Sequence, residues 1–436
     1  MHADIIGGGL AGCEAAYALA RQGIHATIWE MRPLKQTPVH QGGDLAELVC
    51  SNSLKSEHSD TAQGLLKAEM RILGSLLLPC AEATRVPAGS ALAVDRSRFS
   101  QMVTKQIEAH PLITVRREEI ITIPQSPCII CTGPLTSGPM AAALQEVSGT
   151  DNLYFYDAVS PTITRASLDE SIVYKASRYG KGSADYYNCP LTREEYLAFY
   201  EQLVAADALE PHAADKELLF EGCMPIEFMA RRGVDTLRFG PMRPVGLSRS
   251  EGGPRPYAVA QLRQEDQEGQ LWGLVGFQTR LRWGEQDRVL RLIPGLKNAE
   301  FVRYGVMHRN SYINSPACLG PDLQFKSRPG LFAAGQLTGV EGYMESAASG
   351  IWAGLSLARE MKSQKPLQLP ETTLLGALIK HITSCAINKF QPMNANFGIL
   401  PALPAIIKDK KLRYSAYTTR ALNDLHEFSE LLQNTL

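Results

Sequence analysis

Gly7, Gly9 and Gly12 follow the short apolar run Ala3-Asp4-Ile5-Ile6, and Cys13 to Arg21 behind them has the composition of a helix. That order is the strand, G-x-G-x-x-G turn and helix of a dinucleotide site. Gly7 makes the tight turn, Gly9 lets backbone approach a pyrophosphate, and Gly12 lets the helix pack on the strand. The helix start, from Gly8 through Leu10 and Ala11, offers unpaired N–H groups and a positive dipole end to phosphate. A second strand, Ile24 to Trp29, ends at Glu30, whose carboxylate stands where it can accept hydrogen bonds from a ribose, with Arg32 close behind. Two cysteines occupy polar, turn-like contexts: Cys50 between Val49 and Ser51-Asn52-Ser53, and Cys223 between Gly222 and Met224-Pro225. A thiolate in such a place is a nucleophile. Context alone leaves the commoner role, a small buried hydrophobe, open for both. Cys128 and Cys131 form a C-x-x-C pair on an apolar run. With no second cysteine or histidine pair, and with side chains facing opposite ways on a strand, they read as core.

The elements that must hold these groups fall into three stretches. Residues 31–60 are polar and glycine-containing, which predicts an ordered loop beside the cofactor. Helices are expected near Thr61–Leu77 and Ser97–Ala109, with a strand over Thr84–Ala93 between them. Pro127 to Pro134 is a buried strand running into a Thr-Gly turn. From about Val159 to Tyr304 the character changes to tyrosines, a helix over Arg193–Ala206 and a run dense in arginine that includes Arg231 and Arg232. Nucleotide-binding character returns at Leu331-Phe332-Ala333-Ala334-Gly335-Gln336-Leu337-Thr338-Gly339, followed by a small-residue helix over Ser346–Leu357. Two separated cofactor segments with an insertion between them favour FAD over NAD as the resident cofactor. The expected fold is α/β: a Rossmann-like FAD-binding domain of the two-part flavoprotein type, with an inserted α+β domain. Its boundaries are placed at 1–158 and 305–436 for the two FAD-binding parts and 159–304 for the insertion.

The chain has 436 residues, 44% hydrophobic and 20% charged, with a formal net charge of -1, so a nucleic-acid partner must be met by a local basic surface. The 9 cysteines are scattered and odd in number, which points to a reducing cytoplasm. No signal peptide precedes the first strand, and no apolar run is long enough to span a bilayer. Nothing in the sequence suggests a metal site or an obligate protein partner.

The segments GGGLAG with WEMRP, ELVCSNSLKS around Cys50, EGCMPIE around Cys223, RYGVMHRNSYINSP around His308, FAAGQLTGVEGYMESAASG and FQPMNANFGILP occur in one order along the chain. In these the chain resembles, along essentially its whole length, the folate- and FAD-dependent tRNA (uracil-5-)-methyltransferases, the TrmFO family. The resemblance implies that ribothymidine is made in the T-loop of tRNA. Methylenetetrahydrofolate would give the carbon, and flavin reduced by NAD(P)H would give the hydride. It assigns the uracil nucleophile to Cys223, because a thiolate adding at carbon 6 makes carbon 5 reactive. Cys50 would lie near the flavin and assist the one-carbon unit. His308 reads either as a satisfied core histidine or as a ring stacked on the pterin, with Arg309 facing the folate glutamate, while Gly335, Gln336 and Gly339 would meet the flavin side. Glu341, Tyr343 and Glu345 remain alternative bases for the carbon-5 proton. The arginines between 231 and 291 read either as a solvated face or as phosphate contacts. Lys408, Lys410, Lys411 and Arg413 form a second basic cluster. The competing readings are an MnmG-like modifier of the wobble uridine and a non-catalytic RNA-binding flavoprotein.

Overall fold

A parallel five-stranded sheet carries the first third of the chain and takes one strand from far downstream. Its order is Leu331–Ala333, Cys128–Ile130, His2–Ile6, His25–Glu30, Ile113–Arg117. The computed structural model describes residues 1–151, 153–180, 183–209, 224–249 and 253–434, without the side chains of 155–157, 308–309 and 433–434. The inner strands are buried on both faces, which is why they read as continuous apolar runs rather than alternating ones. Cys128 and Cys131 are both buried here, and burial pushes both thiols well above the ordinary cysteine range.

The helix after the glycines spans Leu10–Arg21, one turn earlier than its composition suggests. Gly12 therefore lies inside it, so close to the strand that a Cβ there would stand 1.9 Å from the Gly7 carbonyl oxygen. A second long helix, Tyr343–Met361, lies against the first. A Cβ on Gly350 would stand 2.2 Å from the Ala11 carbonyl oxygen, so only the small residues of this segment permit that approach.

Two local expectations are corrected. The helix expected over Thr61–Leu77 is two, Ala62–Leu73 and Leu77–Ala83, because Gly74 adopts a left-handed conformation and stops the first. The strand expected over Thr84–Ala93 is a hairpin of Arg85–Val86 and Ala91–Val94, turned through Pro87 and Gly89. Ser53–Ser56, from the polar 31–60 segment, adds a third strand to it. The helix expected from Ser97 spans Arg96–Glu108 and is capped by the Asp95 carboxylate, which accepts the Arg98 N–H at 2.9 Å.

An antiparallel ribbon of Leu153–Ala158 and Met307–Tyr312 carries the chain out and back. Beyond it lies an antiparallel six-stranded sheet in the order Tyr174–Lys175, Tyr186–Leu191, Ala258–Gln264, Leu271–Leu274, Thr162–Thr164, Phe301–Arg303. This sheet has its own core, in which Trp272, Phe199, Tyr196 and Phe277 are the bulky members. The helix Arg193–Ala205 starts on a capping box made by Thr192 and Glu195. Helices Leu374–Ser384 and Lys410–Asn434 close the chain. Among the described residues, no helix is long and apolar enough to cross a membrane.

Candidate active site

A cleft of about 1040 Å³ opens over the C-terminal ends of the first and second strands. Its floor is Gly7, Gly9, Leu10 and Ala11, its side wall is Glu30 and Arg32, and its far wall is Gly335 and Gln336. Gly7 holds φ at 104°, which a side chain would resist. Nothing lies within 4 Å of the place a Cβ on Gly9 would take, so the backbone there faces open space. Gly9 caps the helix without any side-chain acceptor for the first N–H groups. A cradle of bare backbone at a helix start, open to the cleft, fits the pyrophosphate of a dinucleotide.

Glu30 is buried. Its Oε2 accepts the Gly8 N–H at 2.9 Å, and its Oε1 accepts Arg32 N and Nε, each at 3.0 Å. Burial pushes this carboxyl up, but the Arg32 charge and the N–H donors outweigh it and hold it below the usual range. Arg32 continues to Glu47 at 2.8 Å. Arg32 thus fixes the acid's position, and Gly8 faces Glu30 rather than the cleft. Gly335 donates its N–H to Ser349 Oγ at 2.8 Å. Gly339 lies beneath the Phe390 ring, off the cleft wall.

Val49, Pro134, Gln336 and Tyr343 also line a second chamber of about 1200 Å³. Cys50 sits on its wall, half-buried. The loop that carries it is clamped from several directions. The Tyr343 hydroxyl accepts the N–H of Cys50 at 2.7 Å and of Ser51 at 3.1 Å. Arg263 donates to Asn52 Oδ1 at 2.7 Å and Ser51 Oγ at 2.8 Å, while Arg303 donates to the Val49 carbonyl. Asn52, fully buried, donates to the Val94 and Gln264 carbonyls, each at 2.9 Å. Glu265 accepts Arg96 at 2.7 Å and the Thr162 hydroxyl at 2.9 Å. Three guanidinium groups and one carboxylate thus surround the thiol loop. Burial works against the Arg96 charge, but the fields of Glu265, Tyr343 and Cys50 outweigh it and hold its pKa above the ordinary value. For Arg303, burial and the neighbouring Arg96 charge win, and its pKa falls. Burial, reinforced by Cys50, raises the Tyr343 phenol and keeps it protonated.

Glu341 accepts Gln336 Nε2 at 2.6 Å and Glu345 accepts the Ala395 N–H at 3.0 Å, and both line the Cys50 chamber with Asn394. His308 and Arg309 stand on the ribbon strand Met307–Tyr312, opposite Asp157 and Tyr156, and their side chains lie outside the described residues. Cys223 also lies outside the described residues. Arg231 and Arg232 are exposed on the inserted domain and line neither chamber. The arginine run is not one kind of surface. Arg280 is interior beside Glu227 at 3.8 Å, Arg263 faces the thiol loop, and Arg282 pairs with Asp207 at 2.8 Å in solvent. Sequence reasoning missed Arg96, Glu265 and Arg303. No local pattern marks them, since each matters only through a partner far away in the chain.

The model of the family "Glucose inhibited division protein A" matches residues 2–365. A methylenetetrahydrofolate–tRNA-(uracil-5-)-methyltransferase TrmFO of Syntrophomonas wolfei is 60% identical over 432 residues, covering 99% of each chain. The protein of the same name from Enterococcus faecalis is 55% identical, covering 96% of each. Among solved structures, GidA of Aquifex aeolicus superposes with a TM-score of 0.70 at 17% identity, covering 98% of this chain and 73% of that one.

Proposed function

The chain belongs to the TrmFO family within the GidA group, and we infer that it is a methylenetetrahydrofolate–tRNA-(uracil-5-)-methyltransferase. FAD is its cofactor, and the one-carbon donor is methylenetetrahydrofolate. The observation that carries this reading is the meeting of the two chambers at Tyr343 and Gln336, with Cys50 on the wall of the second. FAD held in the first chamber would supply redox chemistry to a site whose wall, through Tyr343 and Gln336, continues to Cys50.

Gly7, Gly9, Leu10, Ala11, Glu30, Gly335 and Gln336 would hold FAD, which when bound supplies the electron chemistry of the transfer. The rest falls to the chain's own groups. Tyr343 and Arg263 fix the Cys50 loop by its backbone N–H and side-chain oxygens, so the thiol's place is set before substrate arrives. Glu341 and Glu345 are the carboxylates available for a proton in the same chamber. We further propose that Cys223 adds to carbon 6 of the uracil and that Cys50 assists the carbon unit. His308 and Arg309 would receive the folate, and Arg231 and Arg232 the tRNA. The target would be the T-loop uridine, the hydride source NAD(P)H and the compartment the cytoplasm. The domain division proposed is 1–158, 159–304 and 305–436.

Incubation with unmodified tRNA, methylenetetrahydrofolate and NADPH, followed by nucleoside mapping, tests the assignment. We expect 5-methyluridine in the T-loop; a modified wobble uridine instead would refute it. A tRNA carrying 5-fluorouracil at the target should crosslink to wild type and to Cys50→Ala but not to Cys223→Ala. The reverse pattern would exchange the two roles.

A further inference from the structure

The short helix Thr236–Phe239 ends at Gly240 and leaves the Phe239 ring 82% exposed. One exposed ring is ordinary on a protein surface. This one stands between two grooves and lines both. The first carries Arg232, Val234 and Asp235, the second Arg238, Arg243 and Arg255. Asp235, the acidic residue of these walls, is already paired with Arg238 at 2.6 Å, and that guanidinium carbon lies over the Tyr257 ring, 3.5 Å from its centre. Among the described residues, no carboxylate pairs with Arg232, Arg243 or Arg255. The loop that carries Arg243 is held firmly. Arg178 donates to the Arg243 carbonyl at 3.0 Å and to the Val245 carbonyl, and Met242 is buried and accepts the Val259 N–H at 3.1 Å.

We propose that Phe239 with Arg232, Arg243 and Arg255 is an RNA anchor, in which the ring stacks on an unpaired base and the guanidinium groups in the grooves take the flanking phosphates. An aromatic face between cationic grooves is what a single-stranded or looped nucleic acid needs. A protein partner would ask for a broader apolar patch, and the other large apolar side chain exposed on these walls is Val234, at 40%. The grooves are remote from the thiol. The strand Ala258–Gln264 begins beside Tyr257 and reaches Arg263 at the Cys50 loop, and five residue steps of ~3.3 Å give roughly 17 Å. A substrate that fills both places must span roughly 17 Å, as a folded RNA does. The inference rests on the reading of the chain as a tRNA enzyme and gives that substrate a second point of contact.

The test is tRNA binding to the FAD-loaded enzyme as a function of salt, for wild type, Phe239→Ala, Phe239→Trp and the double variant Arg243→Gln/Arg255→Gln. Each variant is first matched to wild type for FAD content and Tm. Phe239→Ala should weaken binding about tenfold with an unchanged salt slope, and Phe239→Trp should restore it. The double variant should lower the slope by roughly 1.4 to 1.8 units, for two lost phosphate contacts. Wild-type affinity and slope in all variants would overturn the anchor while leaving the methyltransferase reading intact. A loss of affinity for a folate polyglutamate in place of tRNA would also overturn it, since the grooves would then serve the folate tail. Wild type that binds no tRNA at all would overturn both readings.

Discussion

The cleft above Gly9 takes its floor from one short segment, Gly7, Gly9, Leu10 and Ala11, whereas the chamber around Cys50 takes its walls from residues 49–66, 134, 263, 278, 336–345 and 394. In the first, the working groups are backbone N–H donors and the absence of side chains. In the second, they are side chains brought from both sheets and held by charge. A site made of backbone fails by collision, all at once and locally. A site made of distant charges fails in degrees, according to which charge is left without its partner.

The largest effect should come from the glycine floor, and two neighbouring positions should part company. Gly12→Val would drive its Cβ into the Gly7 carbonyl and should give no folded, FAD-loaded protein. Gly9→Val meets nothing within 4 Å and has an ordinary φ of -75°. It should therefore fold with a Tm near that of wild type yet remain colourless. Absorbance of the purified protein and a melting curve suffice, and a yellow Gly9→Val would show that the pyrophosphate lies elsewhere.

In the chamber, Cys50→Ala should keep FAD and Tm but lose methyl transfer by orders of magnitude, as when a reacting group is removed. Tyr343→Phe leaves two N–H groups of the thiol loop without their acceptor, costing about 1–3 kcal/mol for each that stays dry. Its turnover should drop less than that of Cys50→Ala. Equal losses would mean that the phenol itself reacts.

The charge clamp gives the next contrast. Glu265→Gln leaves three guanidinium groups facing one another without a counter-charge and should cost on the order of 3 kcal/mol. Arg263→Gln removes one member of the positive excess and loses two hydrogen bonds, about 1–2 kcal/mol in all. Denaturant midpoints measured on both would decide it, and a more damaged Arg263→Gln would show that hydrogen bonding to Asn52 and Ser51, not charge balance, holds the loop.

The cleft was legible in the sequence because each of its requirements is local: a tight turn, a close approach and a helix start fall within Gly7 to Gly12. The two-part α/β fold was legible for the same reason, since Leu331–Gly339 repeats the strand-then-loop pattern. Cys50 could be singled out by its polar neighbours, but the clamp around it could not. Arg96 reads as an ordinary first-turn residue of a helix and Glu265 as one of several acids in a polar turn. Their pairing across 169 positions exists only once two sheets have met. Arg263 was visible as part of an arginine-rich run, yet composition could not separate it from exposed Arg231 and Arg232. Gly74 and the Pro87–Gly89 turn were in plain view, and the longer elements drawn through them gave too little weight to residues that break a helix or a strand.

Behind each site a buried carboxylate caps a helix, and these two differ in a way that pH should expose with the smallest cost to activity, since neither faces a chamber. Glu14, under the cleft, accepts Leu76 N at 2.9 Å, Leu77 N at 3.1 Å and the Ser75 hydroxyl. Glu69, behind the Cys50 chamber, accepts Leu374 N at 2.6 Å and Leu375 N at 2.8 Å. Burial raises both, and the extra hydroxyl donor on Glu14 leaves it at about 7 while Glu69 is pushed to about 8. A carboxyl whose folded pKa lies above its unfolded one binds protons more tightly in the folded state. Its stabilising contribution is complete below the unfolded value of 4.5 and is lost as pH rises through the folded one. Glu69 should therefore drain stability up to pH about 8 and Glu14 only to about 7. Every tenfold difference in proton affinity between the folded and unfolded chain is worth about 1.4 kcal/mol. Glu69→Gln keeps one acceptor for the helix start and carries no titrating group, so its Tm should fall at low pH yet decline less than wild type between pH 5 and 8. Glu14→Gln should flatten the same curve less and level off sooner. If Glu69→Gln and wild type run parallel across that range, the two N–H donors of the helix Leu374–Ser384 offset the burial of Glu69 and hold it ionised.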